Sequence, residues 1–186
     1  MIGREGYMNK SNIKIKHFDE LGSTNDYALK TIELGEITSD MAIIADKQTN
    51  GRGRLNGRIW ISPIGNFYCS YIIHLHDLYI TERQTNSLTF DVMEILHKYL
   101  VSITGSDKVT LKQPNDILVN NKKLAGVLTE ISYPYAIIGV GINLTESPLA
   151  SATNLKSEFN LLAKPGSLVE NLYIFLINEL KKCFVR

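Results

Sequence analysis

Three features of this 186-residue chain predict an α+β domain with a mixed, largely antiparallel sheet flanked by helices. Short apolar or period-two runs follow one another through tight turns, which favours antiparallel pairing. Segments with helix-capping chemistry sit between groups of strands instead of alternating with each one. No internal repeat or low-complexity segment divides the chain, and its length suits one domain with a sizeable core.

The elements are expected in the following order. Residues 1–11 are polar and are expected to fray. Ile13 to Phe18 alternates as a half-buried strand does. Ser23-Thr24-Asn25 offers N-cap oxygens for a helix ending near Gly35, and Met41 to Ala45 is a short apolar strand. Asn66 to Leu75 reads as a long strand with Phe67, Cys69, Tyr71, Ile73 and Leu75 on one face. Thr81 with Gln84 forms a capping box for the clearest helix, whose stripe is Leu88, Val92, Ile95, Leu96, Tyr99, Leu100 and Ile103. Strands at Val109–Lys112, Ile117–Val119, Leu124–Ile131 and Ala136–Gly141 follow. Asn120-Asn121 forms a hairpin turn, because Asn tolerates positive φ. Asn143 to Gly166 is irregular. A last helix runs from a Ser167/Glu170 capping box through Leu172, Leu176, Leu180 and Phe184.

Composition narrows the function classes. Apolar residues make up 44% and charged residues 21%, which is globular and argues against disorder. A formal charge of +1 gives no global steering towards nucleic acid. Positive charge is local, at Arg52/Arg54/Arg58 and Lys112/Lys122/Lys123, which suits a small anionic ligand better than a polyanion. The N-terminus lacks a signal-type apolar region, and no apolar run approaches the roughly 20 residues of a membrane span. Cys69 and Cys183 lie in apolar segments without metal-type spacing and read as buried free thiols. A cytoplasmic protein without membrane partners is expected.

The chemistry-bearing segments are few. In Gln48-Thr-Asn-Gly-Arg-Gly-Arg-Leu-Asn-Gly-Arg-Ile-Trp60, three glycines alternate with three arginines after an apolar strand. Glycine lets backbone amides approach a ligand and arginine supplies a charged donor fork, so the loop suits an anion. It could equally be a flexible basic loop or an RG-type nucleic-acid contact. Trp60, the only tryptophan, could wall off a planar ligand or anchor the loop in the core. Lys112-Gln-Pro-Asn-Asp116 reads as a turn, yet a hairpin would return Lys123 to Asn115 and Asp116. A cation beside Asp and Asn suits a nucleotide phosphate with Mg²⁺. Gly139-Val-Gly-Ile-Asn143 is either a place for a ligand against the sheet or a strand-ending bend, and taken alone the bend is favoured. His74 and His76 would make only half a metal site. No Gly-x-Ser-x-Gly, Walker or Gly-x-Gly-x-x-Gly element is present.

Together these pieces resemble the catalytic domain of biotin–protein ligases, the biotin–[acetyl-CoA-carboxylase] ligase family. The resemblance rests on Ser23-Thr24-Asn25, Gln48 with Gly51-Arg-Gly-Arg54, Arg58/Trp60, Lys112-x-Pro-Asn-Asp116, Lys123-Leu-Ala-Gly126 with Glu130, and Gly139-x-Gly-Ile-Asn143. Their order extends over residues 13 to 182. The family fold is related to class II aminoacyl-tRNA synthetases. The implied reaction joins biotin and ATP into biotinyl-5′-AMP with Mg²⁺, then transfers biotin to a lysine of biotin carboxyl carrier protein. The implied biotin-binding residues are Ser23, Thr24, Asn25, Gln48, Gly51, Arg52, Gly53, Arg54, Lys123, Gly126, Gly139 and Gly141. ATP would meet Arg54, Arg58, Trp60, Lys112, Asn115, Asp116 and Asn143, with Asp116 reaching magnesium. Lys123, Arg52 and Arg54 would act in catalysis.

Some features depart from the family pattern. Gln113 stands where the family usually has Trp, and Leu55-Asn56 lengthens the loop before Arg58. The expected layout is a flexible segment 1–11 and a catalytic domain 12–186, without an N-terminal helix-turn-helix or a C-terminal β-barrel. DNA is therefore not an expected partner, and a homodimer is left open. Rival readings are a lipoate ligase or octanoyltransferase, a module that holds biotin without transferring it, and an RG-loop nucleic-acid binder.

Overall fold

The computed structural model describes residues 4–5, 13–55 and 57–184. Its centre is one eight-stranded sheet in the order β1-β2-β3-β4-β8-β7-β6-β5. The strands are β1 (Arg4–Glu5), β2 (Lys14–Leu21), β3 (Met41–Gln48), β4 (Phe67–His74), β5 (Val109–Lys112), β6 (Asp116–Val119), β7 (Lys122–Ser132) and β8 (Tyr135–Ile142). Every neighbouring pair is antiparallel except β2 with β3. That pair is parallel because α1 (Thr24–Glu33) carries the chain back across the sheet between them. The expected α+β class and its largely antiparallel sheet are observed. Of the segment expected to fray, Arg4–Glu5 instead pairs with β2, and the rest lies outside the described residues.

Side-chain alternation sorts the sheet into two faces. Ala42, Ile44, Phe67, Cys69, Tyr71, Ile73, Val127, Ile138 and Val140 point into the larger core. There they pack under α2 (Leu88–Thr104) and α4 (Pro165–Phe184). Met41, Ile43, Ala45, Ile72 and Ile137 point the other way, onto Ala28 and the partly buried Tyr27, Leu29 and Ile32 of α1. One helix ten residues long covers only part of that second face. The remainder, over β4, β8, β7 and β6, is where the cavity described below forms.

Local chemistry explains most boundaries. Ser23 caps α1 by accepting the Asp26 amide, and Gly35 follows the helix with φ +69°. Asn120 and Asn121 take φ 50° and 64° in the β6–β7 hairpin, as the turn requires. Two capping expectations are corrected. The Thr81/Gln84 box starts a 3-10 turn, Glu82–Asn86, and α2 begins only after Ser87. The last helix starts at Pro165, whose missing N–H costs nothing in a first turn, so Ser167 and Glu170 lie inside it. The irregular stretch also holds a short helix, α3 (Leu155–Phe159), capped by Asn154. Among the described residues no helix is long and apolar enough to cross a membrane.

Candidate active site

The uncovered face of the sheet is floored by small residues for a measurable reason. Gly126 on β7 pairs with Gly141 on β8, and Gly139 pairs with Ser70 on β4. A Cβ on Gly139 would stand 2.3 Å from Asn25 Oδ1, and one on Gly141 would stand 2.7 Å from the Trp60 ring. β8 runs through both glycines and ends at Ile142, and the chain bends only at residues 144–145, so the glycines themselves are not the bend. The glycines are clearance for the side chains that lie across them.

Above this floor, residues 48–55 and 57–62 form a narrow ribbon. Its rungs are the Gln48–Ser62 and Arg52–Ile59 bridges, the Trp60 amide to Gly51 oxygen (2.8 Å), and the Gly53 amide to Arg58 oxygen (2.8 Å). Gly51 sits inside the ribbon, where a Cβ would meet Trp60, Ser62 and Gln48 atoms at 2.5–2.9 Å. The Trp60 indole lies across Gly126 and Gly141, with Lys123 Nζ 4.7 Å from its ring centroid. Its Nε1 is buried and has no acceptor among the described residues. Asn56, one of the two residues expected to lengthen the loop before Arg58, lies outside the described residues.

Ribbon, floor and the start of α1 enclose a cavity of about 250 Å³. Two poles differ in chemistry. One pole is neutral and polar. Gln48 Oε1 accepts from the Thr24 amide (2.8 Å) and Thr24 hydroxyl (3.2 Å), while its Nε2 donates to Ser62 (2.9 Å). The fully buried Ser70 hydroxyl donates to Asn25 Oδ1 (2.5 Å) and lies 2.8 Å from Thr24 Oγ1.

The other pole is cationic. Lys123 Nζ lies 2.6 Å from Asp116 Oδ1, the approach expected of the hairpin. A register shift between Ile117 and Leu118 pairs Leu118 with Lys123 but Ile117 with Ala125. The Lys123 amide donates to Ser151 (2.9 Å), and its carbonyl accepts from Thr153 (2.9 Å), which fixes the backbone. Asn115 donates to the Val127 carbonyl (3.0 Å) and also borders the cavity. Arg54, Arg58 and Lys112 reach the same wall. None of the three has an ion-pair partner among the described residues.

Residues 18–143 match the biotin/lipoate A/B protein ligase family. The chain belongs to that family. It is 39% identical over 131 residues to the bifunctional ligase/repressor BirA of Escherichia coli, an alignment covering 67% of this chain and 38% of that protein. The chain thus spans well under half of that relative's length. The Leishmania major biotin protein ligase, solved in complex with biotinyl-5-AMP, superposes with a TM-score of 0.78 at 27% identity. The match covers 90% of this chain and 75% of that one. The Aquifex aeolicus biotin protein ligase, solved with biotin and ATP, gives 0.76 at 29%, covering 92% and 72%.

For this member of the ligase family, most residues expected at the site meet around one cavity. Ser23, Thr24, Asn25, Gln48, Arg52, Gly53, Arg54, Arg58, Trp60, Lys112, Asn115, Asp116, Lys123, Gly126, Gly139 and Gly141 all line it. Gly51 and Asn143 do not. Asn143 is buried, and its Nδ2 donates to the carbonyls of Lys123 (3.2 Å) and Thr153 (3.0 Å). It braces Lys123 instead of facing the cavity. Arg52 lines the wall, but its guanidinium turns towards Asp26 and Glu130. Leu55, Ile59, Tyr68, Pro114, Val127, Leu128 and Val140 also border the space, and Gln113 does so from the Lys112–Asp116 turn. Tyr68 and the supporting Ser70 are masked in sequence by an apolar strand. Their one signal is that a two-sided buried strand still carries polar atoms on its even positions.

The cysteines divide. Cys69 is buried, and desolvation pushes its thiol far above the ordinary value. Cys183, expected to be buried, is exposed, because it lies on the outward side of α4, whose last turn faces the core with Leu180 and Phe184. His74 accepts the His76 amide at 3.2 Å, and no group of three metal-ligating side chains occurs among the described residues.

Proposed function

We propose that this chain joins biotin to ATP and passes the biotinyl group to a lysine of a biotin carboxyl carrier protein. The observation that carries the proposal is the division of one cavity into a neutral polar end and a cationic end, set on a glycine floor. A ureido ring needs matched donors and acceptors, which Ser23, Thr24 and Gln48 offer. A carboxylate and a triphosphate need positive charge, which Lys123, Arg54, Arg58 and Lys112 offer.

In the first step a biotin carboxylate oxygen bonds to the α-phosphorus of ATP and pyrophosphate leaves. Two anions must come together, so the work of the site is charge neutralisation and alignment. Lys123 stands where both can reach it, held by its backbone and released from Asp116 only if a stronger anion takes its ammonium. Asp116, the carboxylate among the described residues lining the cavity, would hold magnesium, which would offset the negative charge of the triphosphate. In the second step the carrier's lysine nitrogen bonds to the acyl carbon and AMP leaves. The nucleophile belongs to the partner, so the cavity needs no Ser or Cys of its own. The ribbon shields the mixed anhydride from water. An ATP-consuming reaction and two unpaired cysteines suit a cytoplasmic setting.

The test is biotin-dependent exchange of pyrophosphate into ATP, followed by transfer to a carrier domain. Both activities are expected. Biotin binding without exchange would overturn the ligase reading in favour of a binding module.

A further inference from the structure

Arg52 and Glu130 connect the ribbon to the rest of the protein in a way the reaction itself does not require. Arg52 Nη2 donates to Glu130 Oε2 at 2.6 Å. Arg52 Nε stands 2.6 Å from Asp26 Oδ1, an ion-pair contact and not an aligned hydrogen bond. Glu130 Oε2 also accepts from Asn25 Nδ2 at 2.7 Å. Asn25 is held in turn by Ser70 and by the Leu128 carbonyl (3.3 Å), and the missing Cβ of Gly139 gives it room. A single carboxylate oxygen therefore joins the ribbon, the first turn of α1 and β7.

The charges decide what Arg52 does. One guanidinium faces two carboxylates at contact distance, so the local sum is negative, and an incoming anion gains little from it. Hydrogen bonding to Glu130, opposed in part by burial, pushes the Arg52 pKa upward. Arg54, two residues on, has no such partner among the described residues and borders the cavity.

We infer that Glu130 is a positioning residue that latches the ribbon through Arg52, leaving Arg54 as the ribbon's first ligand-facing cation. The inference rests on the proposed ligase reading for its effect on biotin, but not for the latch itself. Glu130→Gln keeps the side-chain length while removing the charge and setting an amide nitrogen among donors. The ribbon then loses its tie, and its neutral pole no longer holds Gln48, Thr24 and Trp60 in register.

Limited trypsin digestion of the ligand-free protein reads the latch directly, at the bonds after Arg54 and Arg58. Glu130→Gln is expected to speed both cuts about tenfold, the scale of one charge-assisted hydrogen bond. Adding Arg52→Ala should produce little further gain, because both substitutions break the same tie. In pyrophosphate exchange, KM for biotin should rise about tenfold while KM for ATP changes by less than about twofold. Glu130→Asp should restore part of the loss. If Glu130→Gln lacks the native circular dichroism, Asp26→Asn, at the exposed end of the same latch, carries the digestion test. Cutting at the unaltered rate, or effects of Glu130→Gln and Arg52→Ala that multiply, would overturn the latch. If the unaltered protein shows no biotin-dependent exchange, the ligase reading fails, and the digestion still decides the latch.

Discussion

Gly141→Ala tests whether the indole of Trp60 lies on the glycine floor. Gly141 is extended, not left-handed, so alanine adds no backbone strain. Its Cβ would stand 2.7, 2.8 and 3.0 Å from three indole atoms. The nearest approach is about 0.8 Å short of the ~3.5 Å at which carbon atoms rest in contact. β8 lies in mid-sheet between β4 and β7, so the ring must move instead of the strand. Overpacking of this size costs about 1–3 kcal/mol, and each kcal/mol lowers Tm by roughly 2–4 °C in a chain of this length. Trp60 is the only tryptophan, which makes intrinsic fluorescence a direct readout of that one ring. The emission maximum should move to longer wavelength and acrylamide should quench it more strongly. KM for biotin should rise about tenfold, the equivalent of 1.4 kcal/mol. Unchanged emission together with an unchanged KM would refute the reasoning.

Lys123→Ala should reduce pyrophosphate exchange about 10²–10³-fold, the cost of losing one preorganised charge at a developing anion, with circular dichroism near native. A thiol reagent should label one cysteine, Cys183, in the native protein and two after denaturation, because Cys69 is fully enclosed and held protonated by burial. Asp40 has a pKa raised above 3.8 by burial, against hydrogen bonds from Tyr173 and the His74 amide. A raised carboxyl favours the fold fully below its unfolded pKa and loses that contribution as pH climbs through the folded value. The Tm of Asp40→Asn relative to the unaltered protein should therefore improve from pH 4 to pH 7, as followed by thermal scans; a constant difference would exclude this linkage.

What could be read from the sequence was local. The Asn120-Asn121 turn, the Ser23 cap and the β5–β8 meander each depend on residues a few positions apart, and all appear as expected. The residues that gather at the cavity were legible because their types are rare in combination: glycine with arginine, and lysine returning to an aspartate. Long-range partners were not. Nothing in Arg52 signals that it turns towards Glu130, 78 positions away. Likewise Asn143 looks like a ligand residue but braces the Lys123 carbonyl, a role set by the fold of residues 143–153. The capping motifs at Thr81 and Ser167 show a further limit: the oxygens are present, but where a helix starts is set by the packing of its apolar face.

The sheet order has a consequence for how the cavity comes into being. β5 to β8 form a contiguous meander, whereas β8 joins β4 across the sixty residues between His74 and Tyr135. Gly126, Lys123 and Asp116 belong to the meander; Gln48, Ser70 and Trp60 belong to the other half. The cavity therefore exists only once the β4–β8 seam has closed, and the partly assembled chain has nothing with which to grip a ligand. A molecule bound across that seam acts as a clasp between two halves that are distant in sequence. It would be expected to slow their parting more than it stiffens either half alone.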